Sequence, residues 1–159
     1  MAEQEAKAPL RSLHSDVPTF VNFVNKSNGK ARAWWLNFSG QPVSYDDISP
    51  SHGLKMNTFL THPWIFRRSE TGEKLLVNFN DVYFPAPPEY DEHGFPQYRT
   101  VIITTPVYTL QECCSHLIRK LVKKNDILKL DIPEFLRHDL CQTPDLHKEI
   151  RDLSASRQT

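Results

Sequence analysis

Glycine, cysteine and net charge are all scarce in this chain of 159 residues. Five glycines against 12 prolines leave little material for a glycine-rich phosphate cradle and set many fixed bends instead. Three cysteines, two of them adjacent (Cys113 and Cys114), make no disulfide framework and fit a reducing compartment. Nineteen basic and 19 acidic side chains cancel, which disfavours a polycation for nucleic acid or acidic lipid. No apolar run approaches the roughly 18 residues that a membrane helix needs. The opening MAEQEAKAP lacks the apolar centre of a signal peptide. These absences predict a cytoplasmic or nuclear protein whose residues 1–9 form a disordered tail. What is present, 39% hydrophobic and 24% charged residues, suffices for one folded domain or two small ones.

The pattern changes near Pro106. Before it, short β-branched and aromatic runs alternate with turn signals. Strands are expected over 20–25, 32–38, 55–60, 63–67, 74–78, 82–84 and 98–104, a spacing that suggests a β-sandwich over 10–105. Asn28-Gly29 reads as a hairpin turn, and Ser39-Gly40-Gln41-Pro42 as a second turn. In the second strand, Trp34, Leu36 and Phe38 share one face, taken as the core face. Trp35 lies out of phase with them and is expected to be exposed. Residues 85–96, with four prolines, read as a long surface connection.

After Pro106 the period becomes helical. Thr109-Leu110-Gln111-Glu112 is a capping box, and a helix is expected from there to about Lys124, with Leu110, Cys113, Cys114, Leu117, Ile118, Leu121 and Val122 apolar. Further helices can start at Pro133 and at Thr143-Pro144. The division is thus a helical domain over 106–143 and a last helix in 144–159 that packs back on the β domain. The apolar stripe of the first helix spans about half its circumference, more than two short helices cover. Either the β domain or a permanent partner protein must cover the rest, and spacing does not choose between them.

Four constellations of side chains bear on chemistry. Thr58 and His62 form a nucleophile–base pair only on paper, since no G-x-S-x-G elbow and no third orienting group accompany them. Seven histidines include no H-x₃-H pair, and adjacent cysteines on a helix diverge by about 100°, so no metal site is expected. Arg119, Lys120, Lys123 and Lys124 read as a solvated face rather than a nucleic-acid surface. The fourth is an aromatic, hydroxyl-bearing group: Trp35, Tyr45, Thr58, Phe59, His62 and Trp64. It reads either as sandwich core with loop polars or as a small-ligand or peptide site.

Trp35 to Pro42 (W-L-N-F-S-G-Q-P), Tyr45, Asn57 to Arg67 (N-T-F-L-T-H-P-W-I-F-R), Leu75 to Asn78 (L-L-V-N) and Pro106 to Cys114 (P-V-Y-T-L-Q-E-C-C) resemble, in order, the von Hippel–Lindau tumour suppressor family. The likeness runs from about Leu10 to Leu153. It implies an all-β sandwich of seven strands followed by a small all-α domain. It also implies a non-catalytic substrate receptor of a cullin–RING E3 ubiquitin ligase that binds 4-hydroxyproline in hypoxia-inducible factor α. Its partners would be elongin C with elongin B, a cullin scaffold and a RING subunit. No cofactor, metal, nucleic acid or membrane is implied.

Carried over by motif position, Trp35, Tyr45 and Trp64 would wall the proline ring. Thr58 and His62 would bond its hydroxyl, and Asn57 and Phe59 would flank the peptide, which would lie along 55–60. Thr109, Leu110 and Cys114 match the elongin-binding box, joined on the same helix by Leu117, Ile118 and Leu121. Ile132 and Pro133 resemble the opening of a cullin-selecting box. Departures from the family pattern are Thr58 for serine, Phe59 for tyrosine and Asn57 for histidine. Asp16 and Leu54 also stand near positions that are often arginine. These departures leave open a divergent adaptor with weakened or shifted substrate binding, alongside a stand-alone structural sandwich. A pocket built around one hydroxyl rejects the ligand lacking it. Two unmade bonds at about 1–3 kcal/mol each correspond to roughly 10- to 10⁴-fold discrimination.

Overall fold

The computed structural model describes residues 9–157; the expected tail lies, except for Pro9, outside them. Nine strands come first: β1 (Pro18–Asn25), β2 (Ala31–Leu36), β3 (Pro42–Ile48), β4 (Gly53–Phe59), β5 (Trp64–Arg68), β6 (Lys74–Val77), β7 (Glu89–Tyr90), β8 (Pro96–Gln97) and β9 (Arg99–Thr104). Helices α1 (Leu110–Leu121), α2 (Glu134–Cys141) and α3 (Leu146–Arg157) follow, with a 3-10 turn at Lys124–Lys129 between the first two. The chain divides into Val107–Pro144 and the described residues on either side of it, so α3 belongs with the strands.

Seven strands join in the order β3-β2-β5-β6-β9-β1-β4. The short β6 is the corner: Leu75 pairs with Phe66 of β5, and Val77 with Ile103 of β9. The sheet therefore folds over itself into two layers. Phe23 of β1 meets Phe66 of β5 with ring centroids 4.8 Å apart, and Val21, Ala31, Ala33, Leu75, Val77, Val101 and Ile103 fill the space between. β1 and β9 run parallel, whereas every other pair is antiparallel. The order ends at β3 and β4, each of which keeps one unpaired edge.

Several expectations are corrected. Asn28-Gly29 makes no hairpin: β1 and β2 are not neighbours, and neither residue has positive φ. The loop is instead held by buried Asn25, whose Nδ2 donates to the carbonyls of Gly29 and Ile48 and whose Oδ1 accepts from the Ser27 backbone and hydroxyl. The second turn does close a hairpin, β2–β3, with Gly40 at φ 76°. β3 is a strand beyond those expected from the sequence pattern. Residues 82–84 make only a single bridge, between Tyr83 and Trp64. The 85–96 connection carries the β7–β8 ladder, closed by Asp91, whose Oδ1 accepts from the backbones of His93 and Phe95.

The faces of β2 are also reversed from expectation. Ala31, Ala33 and Trp35 face the inter-layer core, while Trp34 and Leu36 face outward under α3. There Leu10, Leu36, Ile65 and Ile150 form a second buried cluster with Trp34, Val82, Phe84, Leu146 and Leu153 around it. Both faces of β2 and β5 are thus covered, which is why both strands read as nearly continuous apolar runs. Asp145 caps α3 through the backbones of His147 and Lys148.

In the helical unit, α1 ends at Leu121, short of Lys124. Its capping box forms in both directions: Glu112 N donates to Thr109 Oγ1, and Thr109 N donates to Glu112 Oε2. Pro133 caps α2. Arg119 reaches from α1 to α2, donating to the carbonyls of Asp139 and Leu140. Ile127 and Leu140 are the buried apolar side chains of the described unit. No described helix is long and apolar enough to cross a membrane.

Candidate functional site

Trp64 organises the aromatic group. It is 2% exposed and packs on Phe23 in the core. Its indole N–H donates to Thr58 Oγ1 on β4 at 2.9 Å, and the Tyr45 ring of β3 meets it edge-on at 5.0 Å. One side chain thus touches both terminal strands of the sheet, at the place where the two layers stay open. Tyr45 itself is 44% exposed. The register along β3 shifts opposite Arg32–Trp34, so that one extra β3 residue falls at Tyr45-Asp46. Such a bulge re-aims a side chain.

Trp35 stands directly opposite Trp64 in the β2–β5 ladder, so the two indoles share the inner face. Trp35 is half-buried rather than exposed. Its N–H donates to Ser12 Oγ at 2.7 Å, and Ser12 Oγ donates to the Leu36 carbonyl at 2.6 Å. Its face stacks on the His62 ring at 5.1 Å, and Phe38 and Phe59 close around His62 at 5.6 and 5.0 Å. His62 follows a turn in which its N–H donates to the Phe59 carbonyl. Next to it, Thr61 Oγ1 accepts from His14 N and donates to His14 O, which fastens the 10–17 segment along the site.

His62 is 6% exposed, and its Nε2 lies 3.1 Å from Ser15 Oγ. Burial pushes the imidazole below its ordinary pKa of 6.5, opposed in part by a hydrogen bond of the ring to the backbone of His14. The ring is therefore neutral at pH 7, and a neutral imidazole keeps one accepting nitrogen. Thr58 is 3% exposed. Its oxygen accepts the Trp64 N–H and retains a proton to donate and one lone pair. Among the described residues Thr58 bonds to Trp64 and His62 to Ser15, and no hydrogen bond joins the two.

The sequence-selected residues thus fall into a joined set and an outlier. Trp35, Tyr45, Thr58, His62 and Trp64 converge, with Phe59 at the rim. Asn57 points to the other face of β4, where Tyr98 OH donates to its Oδ1 at 3.1 Å. Ser12, Ser15 and Phe38 were missed. Ser12 and Ser15 lie in a segment without periodicity, 23 and 47 residues from their partners. Phe38, expected on the face of Trp34 and Leu36, lies beyond the end of β2, and its ring turns back on Trp35 at 6.0 Å.

The helical unit presents a different surface. Leu110, Leu117 and Leu121 are 80, 56 and 75% exposed, Cys114 is exposed, and Ile118 is half-buried. α1 has no buried residue. Leu110, Cys114, Leu117 and Leu121 follow one another by four, three and four positions, which sets them on one face. Thr109 is the N-cap. Ile132 is half-buried and Pro133 exposed at the head of α2. Among the described residues no group of three His, Cys, Asp or Glu is placed to hold a metal ion.

Comparison with known proteins bears on both surfaces. Residues 10–91 match the family model described as VHL beta domain, and residues 108–156 match the one described as VHL box domain. A curated relative, Protein Vhl of Drosophila melanogaster, is 24% identical over 110 residues. The aligned stretch covers 65% of this chain and 62% of the relative, less than two thirds of its length.

Proposed function

The chain belongs to the von Hippel–Lindau (VHL) family, and on that premise we propose that it is the substrate-recognition subunit of a cullin–RING ubiquitin ligase. It does no bond chemistry itself. Its β unit reads 4-hydroxyproline in a segment of hypoxia-inducible factor α, and its helical unit docks on elongin C, which brings elongin B and the cullin scaffold with its RING subunit.

The observation that carries this reading is the buried Thr58 hydroxyl at the open seam between β3 and β4, fixed by Trp64 and flanked by Tyr45, Trp35 and neutral His62. Aromatic walls suit a pyrrolidine ring, and a donor on Thr58 with an acceptor on His62 suit a hydroxyl, which both accepts and donates. The free edge of β4 can pair with an extended peptide through main-chain bonds. On α1, the exposed Leu110–Leu121 stripe suits a partner helix groove.

A second reading keeps elongin docking and shifts the substrate. Ser15 favours it, since its hydroxyl already occupies His62 Nε2 at 3.1 Å and an entering hydroxyl must displace or share it. Titration of the elongin-bound protein with paired hydroxyproline and proline peptides decides between them. The first reading expects binding of the hydroxylated peptide at least about 10-fold tighter, the lower end for lost hydrogen bonds. Equal binding overturns it.

A further inference from the structure

Thr19 in β1 is 1% exposed, and its Oγ1 has no hydrogen-bond partner among the described residues. An unpaired buried hydroxyl is unfavourable, and valine would fill the same volume and suit a strand equally well. Thr19 also has a particular neighbour. It stands directly opposite Thr58 in the antiparallel β1–β4 ladder, and the next inward pair, Val21 and Met56, packs in the core. Residues directly opposite point to the same face with Cβ atoms about 4.5–5.5 Å apart, a spacing at which threonine pairs bond across strands. Rotation of one side chain between staggered positions brings the two hydroxyls together.

We propose that Thr19 is a positioning residue of the hydroxyproline site: its O–H donates to Thr58 Oγ1 and so directs the Thr58 proton at the ligand hydroxyl. This deepens the reading of the same site given above and rests on it. Thr58 oxygen has two lone pairs. Trp64 Nε1 takes one, and Thr19 takes the other. Thr58 can then only donate. The chain of bonds has one direction, from Trp64 and Thr19 to Thr58, from Thr58 to the ligand oxygen, and from the ligand O–H to an acceptor such as the neutral His62 ring. An unsubstituted proline ring offers no acceptor to Thr58, whose proton, once Thr19 and Trp64 hold both lone pairs, is left without a partner.

Thr19→Val, Thr19→Ser and Thr58→Val in the full chain test this, with binding of the hydroxyproline and proline peptides and the thermal midpoint as readouts. Thr19→Val is expected to weaken the hydroxylated peptide about 3- to 10-fold and leave the proline peptide unchanged, with a midpoint equal to or above wild type. Thr19→Ser is expected to restore the wild-type ratio. The double variant with Thr58→Val should lose no more than Thr58→Val alone, because Thr19 acts through Thr58. A Thr19→Val protein with the wild-type ratio, or one that weakens both peptides equally, overturns the proposal while the pocket reading stands. A wild-type protein that does not distinguish the peptides overturns both. Thr19→Ala gives the same comparison should the valine variant not fold.

Discussion

His62 is held neutral by burial among Trp35, Phe38 and Phe59, and this gives the site a pH sensitivity with a defined sign. The folded pKa lies below the ordinary 6.5, so the unfolded chain binds more protons as the medium acidifies. The contribution to stability is complete above about pH 6.5, is lost as pH falls from there toward the folded value, and levels below it. On the proposed function, the same protonation removes the acceptor that the ligand hydroxyl would use. We expect the unfolding midpoint to fall between pH 7.5 and 5.5 in the wild type and to fall less in a His62→Gln variant; parallel curves would remove His62 from the acid-sensitive groups. At this scale the sequence showed which side chains could form a site but not how they are tied. The W-W-L run gave no means of choosing the inner face, because α3 makes both faces of β2 apolar. Ser12, Ser15 and Thr19 carry no local signature and acquire their roles only from segments that fold alongside them.

Among the elements, α3 depends on one polar anchor. Arg67 on β5 has a side chain 4% exposed, and it donates from Nε to Glu149 Oε2 at 2.7 Å and from Nη1 to the Phe66 carbonyl at 2.8 Å. Glu149 is 32% exposed, so its own desolvation is modest. Removing it strands a buried guanidinium on one side. Glu149→Ala should cost about 1–3 kcal/mol, below the full value for a wholly buried pair, read as a lower urea midpoint and faster hydrogen exchange along α3. Replacing both partners by apolar residues (Arg67→Met with Glu149→Leu) should recover most of that loss, since the helix is also held by Ile150, Leu146 and Leu153. If the single variant matched wild type, the anchor would be ornamental. Helix starts were readable because caps are local: Thr109-x-x-Glu112 and Pro133 stand where their chemistry requires. β3 was not readable, because an edge strand with only Ile48 buried lacks the alternation that marks a covered one. The Asn28-Gly29 hairpin failed for a tertiary reason, the bonds from Asn25 that carry the loop between layers.

Across the whole molecule the β unit is self-sufficient and the helical unit is not. Residues 107–144 bury only Ile127 and Leu140 among apolar side chains, far below what an independent core of this size requires. The same residues expose Leu110, Leu117, Leu121, Leu128 and Phe135. A partner that covers the α1 face therefore adds stability that the unit cannot supply internally, by an amount set by mass action: about 2.7 kcal/mol when free partner stands at 100 times its dissociation constant. Because α1 buries nothing, a change on that face separates docking from folding. Leu117→Asp should leave the isolated chain within about 0.5 kcal/mol of wild type, as exposed substitutions do, while abolishing the rise in thermal midpoint expected from the proposed partners, elongin B and C. Cys114→Phe should act alike by filling the space where a close-packed groove must approach. Equal rises in wild type and Leu117→Asp would move the docking surface off this face, and no rise in either would leave the exposed leucines without an elongin partner.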